Sequence, residues 1–171
     1  MRLWLLVERA LARAKAKLGV IPATAAEEIL RKAVPENIDL ERLAAGIRET
    51  SHGLVPLLHQ VRERCENEAG EYIHSGATTR DIDDTAFMLQ IKESYGFLRS
   101  EMTELKDVLA QLAKSHRATP VMGRTHGVHA VPFSFGLKVA VWYSEMVRHL
   151  ERWDGAASRS ERVMVFGGNW F

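Results

Sequence analysis

Cysteine is almost absent: Cys65 is the only one in 171 residues. No intrachain disulfide can form, and a reducing, cytoplasmic setting is the expectation. Long apolar runs are missing too. The opening segment Met1 to Val7 is interrupted at once by Glu8 and Arg9, which is too short for a signal peptide, and no stretch is long and apolar enough to span a bilayer. Neither sign of charge dominates, with 23 Lys and Arg against 22 Asp and Glu for a net +1. That balance argues against nucleic acid or an anionic membrane as partner, although a near-neutral total can hide a basic pocket. Proline is sparse, with a long gap between Pro56 and Pro120. There is no persuasive strand pattern, no internal repeat and no low-complexity segment.

What remains is ordinary globular composition, 46% hydrophobic and 26% charged, patterned almost throughout for helix. Residues 3 to 17 are amphipathic and closed by Gly19 and Pro22. Short helices are predicted at Thr24 to Lys32, Asp39 to Glu49 and Leu54 to Cys65, the last with Pro56 in its first turn. A long helix starts at Thr78, where Thr78-Thr79-Arg80-Asp81 reads as a capping box and Asp81, Asp83 and Asp84 meet the positive helix end. Met88, Ile91, Tyr95, Leu98, Met102, Leu105, Leu109 and Leu112 then form a heptad stripe to about Ala113. A second long helix runs from about Ser134 to Trp153, with Val139, Tyr143, Met146, Leu150 and Trp153 along one side. The expected fold is all-α: an N-terminal helical domain over residues 1–79, then the beginning of an elongated helical bundle over 80–171. The apolar, turn-bearing close from Val163 to Phe171 offers no finishing element. Two such stripes need more partners than the chain supplies, so an incomplete domain or an obligate oligomer is expected.

Reactive residues crowd into two breaks between helices. The first, Tyr72 to Asp81, feeds two hydroxyls and free backbone N–H groups into a helix start. It is a ready carboxylate or phosphate site to which His74 and Arg80 add charge; capping by Thr78 or Thr79 is the simpler alternative. The second, Met122 to Ala130, holds Arg124, His126 and His129 between Pro120 and Pro132. Histidine is suited to passing a proton near neutral pH. A His-x-x-His metal site is the competing reading, but no third Cys, Asp or Glu ligand sits nearby in sequence, and no metal is expected. Structural loop histidines are another. A weaker candidate is His52, just before a helix. His59, His116 and His149 read as solvated surface.

Gly123 to Ala130, with Phe135-Gly136-Leu137-Lys138, Trp142, Glu145 and Arg148 behind it, resembles the adenylosuccinate lyase family of the fumarase/aspartase superfamily. His74-Ser75-Gly76-Ala77-Thr78-Thr79, followed by Asp81, Asp84, Thr85 and Ala86, resembles it too, as does Leu18 to Pro22. The resemblance covers about Leu3 to Gly168. It implies a cofactor-free β-elimination from a succinyl-purine nucleotide that releases fumarate, carried out by a homotetramer in which each site draws on several subunits. It further implies that His126 is the general acid and that His52, His74, Thr78, Thr79, Arg124 and Thr125 line the substrate, with no clear role for His129. In the family the base is a serine on a Ser-rich loop ending Met-Pro-x-Lys-x-Asn-Pro, and no such stretch occurs in these residues. A phosphate-holding Arg/Tyr segment would precede Met1. The sequence thus reads as an incomplete portion, inactive alone. A carboxymuconate cycloisomerase-like or argininosuccinate lyase-like enzyme, or an inactive self-associating helical fragment, are the other readings.

Overall fold

The computed structural model describes residues 1–160. The closing stretch from Val163 to Phe171 lies outside the described residues. Helices α1 (Arg2–Lys17), α2 (Ala23–Lys32), α3 (Leu40–Thr50) and α4 (Leu54–Arg64) come first, with 3-10 turns at Pro35–Asn37 and Ala69–Tyr72. The long α5 (Thr79–Ser115) follows, then strands β1 (Pro120–Thr125) and β2 (Val128–Ser134), then α6 (Phe135–Ser160). The chain divides inside α5 into two compact units, one of Met1–Gln90 and one beginning at Ile91.

The first unit is held by a core of Leu5, Ile29, Leu54, Leu57, Val61 and Ile82, all essentially inaccessible to solvent. Each comes from the apolar face of its helix, as the predicted periodicity requires. Local chemistry sets the boundaries. Asp39 caps α3, its Oδ1 accepting from the N–H groups of Glu41 and Arg42 at 3.0 Å each. The buried Gln60 amide then pairs with the Asp39 backbone, accepting from its N–H at 2.9 Å and donating to its carbonyl at 3.1 Å. That exchange satisfies a polar group the core would otherwise penalise. Gly46 lets α3 approach Pro56, since a Cβ there would come within 2.7 Å of the proline Cβ.

The second unit is a pair of helix segments joined by the β1–β2 hairpin. Gly136 at the start of α6 lies against Ala113 and Arg117, while Tyr95 and Trp153 meet with ring centroids 4.4 Å apart. Arg99 and Asp154 pair through two bonds of 2.6 and 2.9 Å. Early α6 therefore meets late α5 and late α6 meets early α5 of this unit: the helices run antiparallel. Val139 is fully buried between them, and the remaining stripe residues are half-buried or exposed.

The all-α expectation holds for the described residues except at one place. The Met122 to Ala130 segment is not an irregular loop but a two-stranded antiparallel hairpin, with Thr125 opposite Val128 and a bulge between Met122 and Arg124. His126 and Gly127 form the two-residue connection with φ of +50° and +76°. Positive φ at both central residues is what a type I′ hairpin turn needs, because its twist matches that of the strands. His116 also departs from the surface reading. It is half-buried, edge-on to Phe135 at 5.4 Å, with Nδ1 3.1 Å from the Thr119 hydroxyl.

Candidate active site

The predicted site residues fall in both units. In the first unit the chain leaves the Ala69–Tyr72 turn, passes His74 and Gly76 in left-handed conformation (φ +57° and +65°), and enters α5. The two threonines at that entry are not equivalent. Thr78 is committed to the cap: its N–H and its hydroxyl donate to Asp81 Oδ2 at 2.8 and 3.1 Å. Asp81 thus reaches back as the acidic member of a capping box.

Thr79 faces His52 instead, its Oγ1 3.3 Å from His52 Nε2. The tautomer follows from the other side of the ring. His52 Nδ1 accepts from the backbone N–H groups of Leu54 and Val55 at 3.2 Å each, so it carries no proton. In the neutral ring the hydrogen sits on Nε2 and is donated to Thr79. The Thr79 hydroxyl hydrogen is then available to an incoming acceptor. His52 accordingly does two things: it caps α4 and it orients a hydroxyl at the N-terminus of α5, where the helix dipole favours negative charge.

His74 lies close by in the same loop. Its Nδ1 is 2.6 Å from Oε1 of Glu8, a carboxylate on α1 that is 1% exposed. The sequence reading missed Glu8. The signal was present, because Leu5, Glu8 and Ala12 are spaced three and four apart and form the buried face of α1. A carboxylate on such a face requires a partner. Lys15, one more step along that side, donates to the Ser75 carbonyl and lies 3.3 Å from the Ser75 hydroxyl. The loop is thereby gripped from below at two consecutive residues.

In the second unit Arg124, Thr125 and His126 sit at the tip of the hairpin, exposed. Arg124 points an NH2 group at His129 Nε2 across the strands, 3.4 Å away. The His126 ring has no hydrogen-bond partner among the described residues, so both of its nitrogens are open to solvent or to another molecule. Gly123 is required where it is, since a Cβ there would lie 2.8 Å from the Val131 carbonyl oxygen on the opposite strand. No three His, Cys, Asp or Glu side chains among the described residues converge as metal ligands. Cys65 is no candidate nucleophile, because burial pushes its thiol up from the ordinary range.

Chemically, the first unit offers a helix N-terminus with an oriented hydroxyl and two histidines, suited to a carboxylate and to charge that develops on it. The second offers an exposed imidazole beside a guanidinium. The protein family described as Lyase matches residues 1–170. The chain is 45% identical over 161 residues to an adenylosuccinate lyase of Methanocaldococcus jannaschii, a match covering 94% of this chain and 35% of that protein. It is 39% identical over 165 residues to an N-acetyl-S-(2-succino)cysteine lyase of Enterococcus italicus, covering 96% of this chain and 35% of that one. The crystal structure of a fumarate lyase from Mesorhizobium sp. BNC1 superposes with a TM-score of 0.89 at 41% identity, covering 96% of this chain and 38% of the other. The chain thus spans about a third of the length of these relatives. It belongs to this lyase family, within the fumarase/aspartase superfamily, and corresponds to the N-terminal portion of its adenylosuccinate lyases.

Proposed function

We propose that these residues form part of a lyase that removes fumarate from adenylosuccinate and the related succinyl-carboxamide ribotide by β-elimination. A base takes the proton beside a carboxylate, the electron pair spreads into that carboxylate, and the carbon–nitrogen bond breaks as an acid protonates the departing nitrogen. Thr79, with its hydrogen freed by the His52 contact, and the N–H groups of the first α5 turn receive the carboxylate. His126 supplies the proton to nitrogen, and Arg124 and Thr125 hold substrate beside it. His74 lines the same substrate, and Thr78 serves it through the helix cap. The observation that carries this reading is the continuous match to an adenylosuccinate lyase across nearly the whole chain, both motifs included. The base would be a serine on a loop not found in this sequence. The site would then be completed by further chain and further subunits, in a homo-oligomer of the family's tetrameric type working in the cytoplasm.

The test is expression of the natural reading frame that contains these residues, supplied with adenylosuccinate and followed by ultraviolet absorbance and by fumarate release. Fumarate formation is expected. No turnover there, with turnover of a carboxymuconate or of argininosuccinate, would sink the reading.

A second reading is favoured by the Enterococcus relative: a succino-thioether as substrate, so that sulfur departs. A thiolate leaves with less help than a purine amine, because its conjugate acid is the stronger one. Replacing His126 by Ala should cost about 10²–10⁴-fold in kcat if nitrogen departs, and clearly less if sulfur does. The size of that loss separates the two.

A further inference from the structure

The buried pair of Glu8 and His74 has a consequence beyond local packing. Glu8 is 1% exposed and its Oε1 lies 2.6 Å from His74 Nδ1, while its Oε2 is buried without a partner among the described residues. His74 keeps 22% of its side chain exposed and lines a cavity of about 210 Å³ with Val55, Leu58, His59, Arg62 and Ile73. The ring therefore has one edge against a sealed carboxylate and only part of its remaining surface exposed, toward solvent and the cavity. A carboxylate oxygen at hydrogen-bond distance accepts a proton and cannot donate one, so it selects the tautomer with hydrogen on Nδ1.

We infer that Glu8 is a positioning residue, which fixes His74 with Nδ1–H toward the core and Nε2 toward the open side. When the ring is neutral, Nε2 is then a lone-pair acceptor; when it is charged, Nε2 is a donor. His52 is held the opposite way round, with Nδ1 bare and Nε2 protonated. The two histidines of the first unit thus present different groups, one an N–H passed to Thr79 and one a lone pair. Of these two rings, only His74 offers an acceptor to a substrate hydroxyl or amide proton. Lys15, held to the Ser75 carbonyl from the same side of α1, keeps the loop from rotating away. The backbone supports this arrangement: His74 sits at φ +57°, a conformation a non-glycine residue holds only when its surroundings impose it.

That His74 lines a substrate rests on the lyase reading; the tautomer does not. The test uses the chain with ¹⁵N-labelled histidine and long-range proton–nitrogen correlation, with the His74 signals assigned by His74→Gln. Wild-type His74 should show Nδ1 protonated and, above the range where the ring charges, Nε2 bare. Glu8→Met should shift the population toward Nε2–H, with the amide spectrum of the first unit showing that it still folds. A wild-type ring protonated on Nε2 with bare Nδ1 overturns the assignment without need of any variant. So does a folded Glu8→Met chain whose His74 keeps Nδ1–H undiminished. Titration of the full-length protein, in the natural reading frame that contains these residues, with fumarate separates this inference from the one beneath it. A His74 ring with Nδ1–H that ignores fumarate supports the Glu8 assignment and counts against the lyase reading.

Discussion

At the scale of single residues, the site is decided by which hydrogens are already committed. Thr78 and Thr79 look alike in sequence, yet the first donates to Asp81 and the second receives from His52. Thr79→Val should therefore weaken fumarate binding, by an amount on the order of a lost hydrogen bond to a charged group, about 1.5–3 kcal/mol. Thr78→Val should act instead on stability, by about 1 kcal/mol through the cap. Titration calorimetry and urea denaturation read these separately, and equal effects of both variants on binding would refute the distinction. The positions of His52, His74, Thr79 and His126 were legible because polar residues crowd into helix breaks. Glu8 was not. Its sequence neighbours make it look like the polar end of an apolar run, and carboxylates are seldom buried. Only His74, 66 residues later, explains it. The turn residue His126 carries a cost of its own. Its φ of +50° is tolerated better by Asn, so His126→Asn should raise the unfolding midpoint of the second unit while abolishing proton donation. A midpoint that falls instead would show that the imidazole stabilises the turn.

At the scale of elements, the predicted helices appear with boundaries displaced by a residue or two, except α6, which runs on to Ser160. The hairpin was hidden for physical reasons. Both of its faces are largely exposed, so no alternation of apolar and polar residues marks it, and Gly123 and Pro132 argue against strand where a bulge admits them. The clue that survives is the His126-Gly127 pair, a two-residue turn with glycine second. Packing between helices is most sensitive at Gly136, where a Cβ would come within 2.5 Å of the Ala113 carbonyl oxygen. Gly136→Ala should destabilise the second unit by about 1–3 kcal/mol, read as a lower urea midpoint. The Arg99–Asp154 pair behaves differently. The guanidinium hydrogen bonds hold the Asp154 carboxyl below its usual range. A lowered folded value means the contribution is complete above the unfolded carboxylate range, about 3.9, and is lost as pH falls through the folded value. The pair is half-exposed, so its removal by Asp154→Asn should matter little at neutral pH. It should flatten the acid limb of the unfolding curve; an unchanged limb would show the pair idle.

At the scale of the whole chain, much apolar surface is left over. Phe87, Phe97, Val108, Leu137 and Val141 are each more than half exposed on α5 and α6. None of the five lies on the heptad stripes read from the sequence, whose own Leu98 and Leu105 are also exposed, so the uncovered apolar surface is broader than those stripes. Sedimentation velocity should show self-association at micromolar concentration, and a clean monomer would count against it. These residues alone should show no lyase turnover; robust turnover would mean that the base lies within them. The separation of contacts along the chain also has a bearing on the order of assembly. In the second unit the strands close over a two-residue turn and α6 folds back on α5 directly afterward, whereas the grip of α1 on the His74 loop joins residues 66 positions apart. Closing a longer loop costs more entropy before any contact repays it. In a pulsed hydrogen-exchange experiment the hairpin amides should become protected first. The tautomer of His74 would then be among the last features of the chain to be settled.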